Sequence, residues 1–323
     1  MAPPLHRQRP CWRRHISFLS MESVRRLSPI LAPATVITTL VTCLVIAKVN
    51  HRYTGTLVWP YFSDLGRDDP GYYVFVVGLT LTAIFLVAIW YFNFVFHART
   101  LRLPIQDGAL SPWLLRRSGL VSTLGILSVV GLPVLAICST TSYPSVHSNA
   151  AYWFFILEAL AVLINTSITY RIYKWRDHHP TPILECSAIA TSRKHTHVQA
   201  TFCAVFLIAF ALYIPIGLAV VCDFAHLSTQ ECLALDLGEA YCTGTMHGSD
   251  PQWTKLWDYS HCRGSNQMRS GAQLGCIVTL VGYSVSFLLH KMPPAMPATD
   301  ACEASPSHIQ ATRFTIATDP VEE

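Results

Sequence analysis

Charge is what this chain has least of. Asp, Glu, Lys and Arg make up 13% of 323 residues, while hydrophobic residues make up 51%. Soluble domains carry roughly 25% charged residues, so an ordinary water-soluble globular chain is excluded. Catalytic signatures are missing too. No Gly-rich phosphate loop, Gly-x-Ser-x-Gly elbow or His-Glu-x-x-His helix occurs, which leaves nucleotide use, acyl-serine chemistry and a zincin mechanism without support. No cofactor and no metal is expected. No internal repeat is visible, and with it goes the usual sign of an inverted-repeat transporter. The net charge is only +4, and its basic residues lie where the positive-inside rule puts them, so nucleic acid is not an expected partner.

What is present is six apolar runs, at residues 30–49, 72–96, 119–139, 150–170, 201–221 and 270–290. Each approaches the ~20 helical residues needed to cross a hydrocarbon core of about 30 Å. They are too long and continuous for barrel strands, which leaves helices as the only way to satisfy the backbone in lipid. The expected fold is therefore all-α, a polytopic membrane protein built as a six-transmembrane-helix bundle. Lys and Arg number seventeen in the segments assigned to the cytosol and five in the others. That asymmetry predicts a basic cytosolic N-terminus (1–29), a six-span membrane domain (30–290) with one large luminal loop (222–269), and a cytosolic tail (291–323). The tail is rich in Pro, Ala, Ser and Thr and lacks periodicity, so disorder is expected there.

The first luminal connection carries Trp59, Pro60, Tyr61, Phe62, Ser63, Asp64, Gly66 and Pro70. Pro fixes φ, Gly permits positive φ, and an Asp side chain can bond its own backbone two residues on, so this segment is predicted to be an ordered turn closed by Asp64. Its rings are expected at headgroup depth.

The same segment, aromatic-Ser-Asp-x-Gly just after a first span, resembles the first luminal loop of the DRAM (damage-regulated autophagy modulator) family and its FRAG-type and yeast SFK-type relatives. The likeness continues in Arg117-Ser118-Gly119-Leu120-Val121-Ser122-Thr123-Leu124-Gly125-Ile126-Leu127-Ser128 and in His147, which sits where the family carries a luminal His. The resemblance implies a non-enzymatic membrane regulator of autophagy and endomembrane or lipid signalling. Its expected partners are membrane lipids and other membrane or autophagy proteins, and its expected place is lysosomal or other endomembranes, with the plasma membrane as the alternative. The FRAG-type relatives suggest a second reading, lipid handling of the kind used in GPI-anchor remodelling. A small-solute or ion carrier is a third.

Four cysteines, Cys222, Cys232, Cys242 and Cys262, fall in the large luminal loop. On an oxidising side they are expected to form up to two disulfides, with three connectivities open. Their spacing with His226, His247 and His261 resembles no clustered zinc pattern. Glu158 is the one acid near the middle of a span. It is expected to be protonated, inward-facing or beside a wet cavity. Asn165 lies on nearly the same helix face, and Asn93 in the second span is placed to reach the same interior. Both a headgroup or proton site and an interhelical packing cluster fit these residues; packing is favoured. Gly271 and Gly275 form a Gly-x-x-x-Gly pair read as a helix-packing face. His195, His197, His178 and His179 are read as solvated loop histidines.

Overall fold

The structure is a computed structural model and describes residues 12–101, 112–178, 193–221 and 225–290. Six helical segments are long and apolar enough to cross a membrane: Met21–Val49, Gly71–Leu101, Pro112–Ile137, Pro144–Trp175, Arg193–Val220 and Arg263–Leu289. They belong to α1 (Trp12–Val49), α3 (Gly71–Leu101), α4 with α5 (Pro112–Val129, Gly131–Ile137), α6 (Pro144–His178), α7 with α8 (Arg193–Tyr213, Pro215–Val220) and α10 (Arg263–Ser286). Each long helix packs on its neighbours in the order α1, α3, α4, α6, α7, α10 and back to α1, so the bundle is a closed ring.

Hydrophobic side chains point both ways, as a lipid-embedded bundle requires. Cys43, Val121, Ala161, Val162, Phe206 and Cys276 are wholly buried between helices, whereas Val41, Val77, Ile84, Ile208 and Val278 are exposed on the outside. In lipid the exterior gains nothing by burial, so close approach and interhelical hydrogen bonds hold the helices together. Gly78 is one such approach: a Cβ there would lie 1.9 Å from the Thr39 hydroxyl of α1. Gly125 is another, with the Trp90 ring of α3 pressed against its Cα face.

At the end that the Lys and Arg count assigns to the lumen, the long loop folds into a small unit of its own. Strand β1 (Ala225–Ser228) pairs antiparallel with β2 (Trp253–Asp258), with Ala225 opposite Asp258 and His226 opposite Trp257. Helix α9 (Thr229–Ala234) is started by a capping box: Ser228 accepts from the Glu231 amide while Glu231 accepts from the Ser228 amide, which satisfies two otherwise orphaned donors. A π-helical turn, Ala240–Thr245, follows. The Cys232–Cys242 disulfide joins α9 to this turn inside a small core of Tyr53, Leu227, Tyr241, Met246 and Leu256.

Several expectations need correction. Helix α1 starts well before residue 30, within the segment read as a basic N-terminus. Pro29 and Pro33 lie inside it, as membrane helices tolerate proline where side chains and neighbours re-satisfy the freed backbone groups. The Ser28 hydroxyl, next to the proline, bonds back to the Val24 carbonyl of its own helix. Glu22 pairs with Arg25 and with Arg26, which lets charge enter the first turns of the span. The fourth helix likewise begins at Pro144, before its apolar run, because Pro suits a first helical position. The luminal loop carries a strand pair that no alternating pattern announced. Residues 291–323 and Cys222 lie outside the described residues.

Candidate functional site at the luminal end

The Asp64 segment does not close on itself. Gly66 has φ −101°, in the ordinary negative region, and Asp64 accepts a 2.8 Å hydrogen bond from the Tyr259 hydroxyl of the distant loop. The glycine is required for space instead: a Cβ at 66 would fall 2.3 Å from the Phe75 ring of α3. The segment forms a one-turn helix, α2 (Phe62–Leu65). Positive φ occurs earlier in this loop, at His51, Gly55 (φ +77°) and Thr56, and at Gly55 the Tyr259 ring also leaves no room for a Cβ. Tyr61 and Phe62 are buried inside the protein and are not free rings at a membrane surface, whereas Trp59 is 56% exposed. Pro60 is half-buried, and Pro70 is exposed after a cis peptide bond.

Arg67 is the centre of this assembly. Its guanidinium donates to Asp68 (3.1 and 3.0 Å), the Tyr53 carbonyl (2.8 Å) and the Tyr241 hydroxyl (3.1 Å), and lies 3.9 Å from Asp64. Tyr241 in turn donates to Asp68 at 2.8 Å. Burial works against the charge on Arg67, but the neighbouring Asp68 more than offsets it and holds the guanidinium above its ordinary value. Burial pushes the Asp64 carboxyl up, with Arg67 and the Tyr259 hydroxyl opposing. Buried charges of this kind persist only when paired and fully bonded, and here the pairing stitches the first loop to the disulfide-bonded unit.

Beneath that unit opens a cleft of about 530 Å³. Arg269, at the start of α10, projects into it: Nε donates to the Tyr213 carbonyl at 3.2 Å and Nη2 to the Tyr152 hydroxyl at 2.9 Å, while the guanidinium lies over the Tyr61 and Tyr213 rings. Tyr61 donates to Asn266 at 3.2 Å, and the Phe62 amide to the Gln273 side chain at 3.1 Å. Burial drives the Tyr61 hydroxyl up to about 12, keeping it a neutral donor. His147 stands on the opposite wall. Its Nδ1 lies 2.7 Å from the Leu135 carbonyl and 2.9 Å from that of Cys138, two acceptors at the end of α5. Nδ1 therefore carries the proton, and in the neutral ring Nε2 is left as an acceptor.

His147, Ser63, Ala151 and Gln273 also line a second cavity, of about 80 Å³, that descends into the bundle. Its walls are otherwise almost wholly apolar, with Val36, Phe75, Leu79, Leu132 and Phe154 among them.

The polar residues read at mid-span do not form one cluster. Glu158 reaches Ser128, 2.6 Å away, and Ser128 also lies 2.7 Å from the Gly125 carbonyl. A hydroxyl has one hydrogen to give; donated to Gly125, it leaves a protonated Glu158 as donor to Ser128. Asn165 belongs to a separate node, accepting from Asn93 and donating to Tyr283, each at 2.7 Å. That node ties α3, α6 and α10 together. Gly275 meets Ala209 of α7, but a Cβ at Gly271 would meet open space, so the pair is not a packing face. His195 is not solvated: it is buried with His97 and His290 at the cytosolic end, its ring 4.7 Å from that of His290. His178 and His197 are exposed, and His179 lies outside the described residues.

Of the loop cysteines, Cys232 and Cys242 are bonded to each other and Cys262 is also disulfide-bonded. Among the described residues no group of His, Cys, Asp or Glu is arranged to hold a metal ion. Sequence reasoning passed over Arg67, Arg269, Tyr152, Tyr213, Tyr241, Tyr259 and Gln273. The available signal was Arg269, a cation set at the threshold of an apolar run and counted only toward topology. A family model described as Frag1/DRAM/Sfk1/Cwh43P N-terminal domain matches residues 25–293. No curated protein and no solved structure matches the chain.

Proposed function

Because the chain belongs to the Frag1/DRAM/Sfk1/Cwh43 N-terminal-domain family, we propose that it is a non-enzymatic multi-pass membrane regulator. On this reading it sits in lysosomal or other endomembranes and modulates autophagy and lipid signalling through a ligand received at the luminal cleft. The observation that carries the reading is the way the cleft is built. Its walls come from loops and helices far apart in sequence, joined by Tyr259 to Asp64, Tyr61 to Asn266 and the Phe62 amide to Gln273. Occupancy of such a cleft bears on the relative position of α2, α6 and α10, which is what a regulator needs in order to bias one state over another. Membrane lipids are the natural partners of a site opening at the bilayer surface, and other membrane or autophagy proteins are the proposed recipients of the change.

The test is live-cell localisation of the tagged full-length protein against organelle markers, combined with autophagic flux and lipid analysis after deletion. Altered flux with an unaltered lipid profile is the expected result. A second reading, lipid handling like that of factors for GPI-anchor remodelling, is favoured by one specific observation, the continuity of the polar cleft with an apolar cavity. Accumulation of a lipid species at normal flux decides for it.

A further inference from the structure

The two cavities have the chemistry of a single amphiphile, and we propose that they form one site for a phosphate-bearing lipid, its headgroup in the cleft and the first segment of one acyl chain in the bundle. The inference rests on the reading of the cleft as a ligand site and adds the class of ligand.

The upper chamber selects for an anion. Its lining holds Arg269 and four tyrosines and, among the described residues, no Asp or Glu; the Tyr152 and Tyr213 hydroxyls accept from Arg269 and Gln273 and so keep a proton to give, whereas Tyr61 and Tyr259 donate to Asn266 and Asp64 and the neutral His147 presents an acceptor. Arg269 is buried, and its guanidinium is held in place by the Tyr213 carbonyl and the Tyr152 hydroxyl. Preorganised guanidinium and hydroxyl donors are the groups that recognise phosphate oxygens. The lower chamber selects for a chain. Four residues shared between the chambers, Ser63, His147, Ala151 and Gln273, make it a continuation of the cleft. It is walled by α10 from Gln273 to Ser284, a descent of about 16 Å at a rise of 1.5 Å per residue, or roughly half of a ~30 Å hydrocarbon core. At about 80 Å³ it is narrow, with room for about the first few methylenes of one chain, about half of the ~150 Å³ that holds a benzene; the rest of the chain enters only as the lining side chains move.

The arrangement also explains why an apolar cavity persists inside a bundle that otherwise packs glycine against side chains. Native interiors leave few voids, and a chamber that shares four lining residues with a polar cleft is placed to receive the first part of a lipid tail.

The test uses purified full-length protein in detergent, with oleoyl-lysophosphatidate as the probe. Monooleoylglycerol, which lacks the phosphate, and inorganic phosphate, which lacks the chain, serve as the comparison arms. Native mass spectrometry and a titration monitored by tryptophan fluorescence read the binding. One saturable site is expected, with monooleoylglycerol weaker by about tenfold or more and inorganic phosphate at equal concentration unable to displace the probe. Two variants separate the halves of the site. Asn149→Glu places a carboxylate at an exposed position on the cleft wall and is expected to weaken lysophosphatidate by about tenfold while sparing monooleoylglycerol. Leu280→Trp fills the chain cavity and is expected to weaken both. Arg269→Gln supports the same conclusion if it remains monodisperse with an unchanged melting point; the two other variants carry the test if it does not. Equal binding of the two lipids, or indifference to Leu280→Trp, overturns the proposal. Displacement by inorganic phosphate overturns it in favour of a free-anion site. None of these failures alters the flux phenotype of a deletion, on which the regulator reading depends.

Discussion

Tyr259 donates a 2.8 Å hydrogen bond to Asp64 across 195 positions of sequence, both side chains being buried. The bond joins the first luminal loop to the last one and closes the roof of the cleft. Removing either partner strands a buried polar group, at a cost of roughly 1–3 kcal/mol. Tyr259→Phe and Asp64→Leu are each expected to lower the melting temperature in detergent. The double variant is expected to cost clearly less than their sum, as coupled neighbours do; strict additivity shows that the bond is not formed.

Stability at the luminal end is expected to depend on pH with a definite sign. Burial raises the folded-state pKa of Asp64 above its ordinary 3.8. A group raised in this way contributes stability that is full below the unfolded value and is lost as pH rises through the folded one. The protein is therefore expected to melt higher in mildly acidic than in neutral buffer, and Asp64→Asn is expected to flatten that part of the profile. An unchanged slope in the variant assigns the dependence to another group.

Reduction acts on the same end. The Cys232–Cys242 bridge sits in the satellite core, and closing a short loop of this kind is worth roughly 2–3 kcal/mol. Replacing both cysteines with serine is expected to expose Tyr241 and Leu256 to proteolysis while the bundle helices stay protected. Mass spectrometry of non-reduced peptides reads the bond itself, and a free thiol at either position contradicts it.

Glu158 is expected to behave as a packing acid. Glu158→Gln keeps a donor for Ser128 and should change stability and flux little, whereas Glu158→Leu abandons the interhelical bond and should cost about 1 kcal/mol. Loss of flux in a well-folded, correctly sorted Glu158→Gln protein points instead to a proton-coupled role.

Six apolar runs and a Lys and Arg asymmetry were legible in the sequence because lipid imposes them on every residue of a span. The site was legible only in outline. The aromatic-Ser-Asp-x-Gly segment announced itself by composition, yet the partners that give it meaning, Tyr241, Tyr259 and Arg269, arrive from the far end of the chain. No local rule links Asp64 to Tyr259. Turn chemistry explained Gly66 by φ, whereas the structure uses it to admit the Phe75 ring, a demand set by packing alone. The same holds for Gly271 and Gly275, whose spacing fits a packing motif but whose faces depend on the rotation of α10. His195 looked solvated because its neighbours in sequence are polar; in space its ring meets His290, which in turn stacks on Phe96 and lies beside His97.

The Asn93–Asn165–Tyr283 node has a mechanical consequence. It fastens three helices at one depth, nearer the histidine end of α10 than the cleft end, so each helix is a beam with unequal arms about a shared pivot. Gln273 stands on the long arm and His290 just beyond the short one. Any sway of the cleft end of α10 would thus be geared down to a smaller displacement at His290, in the way a long handle moves a short jaw.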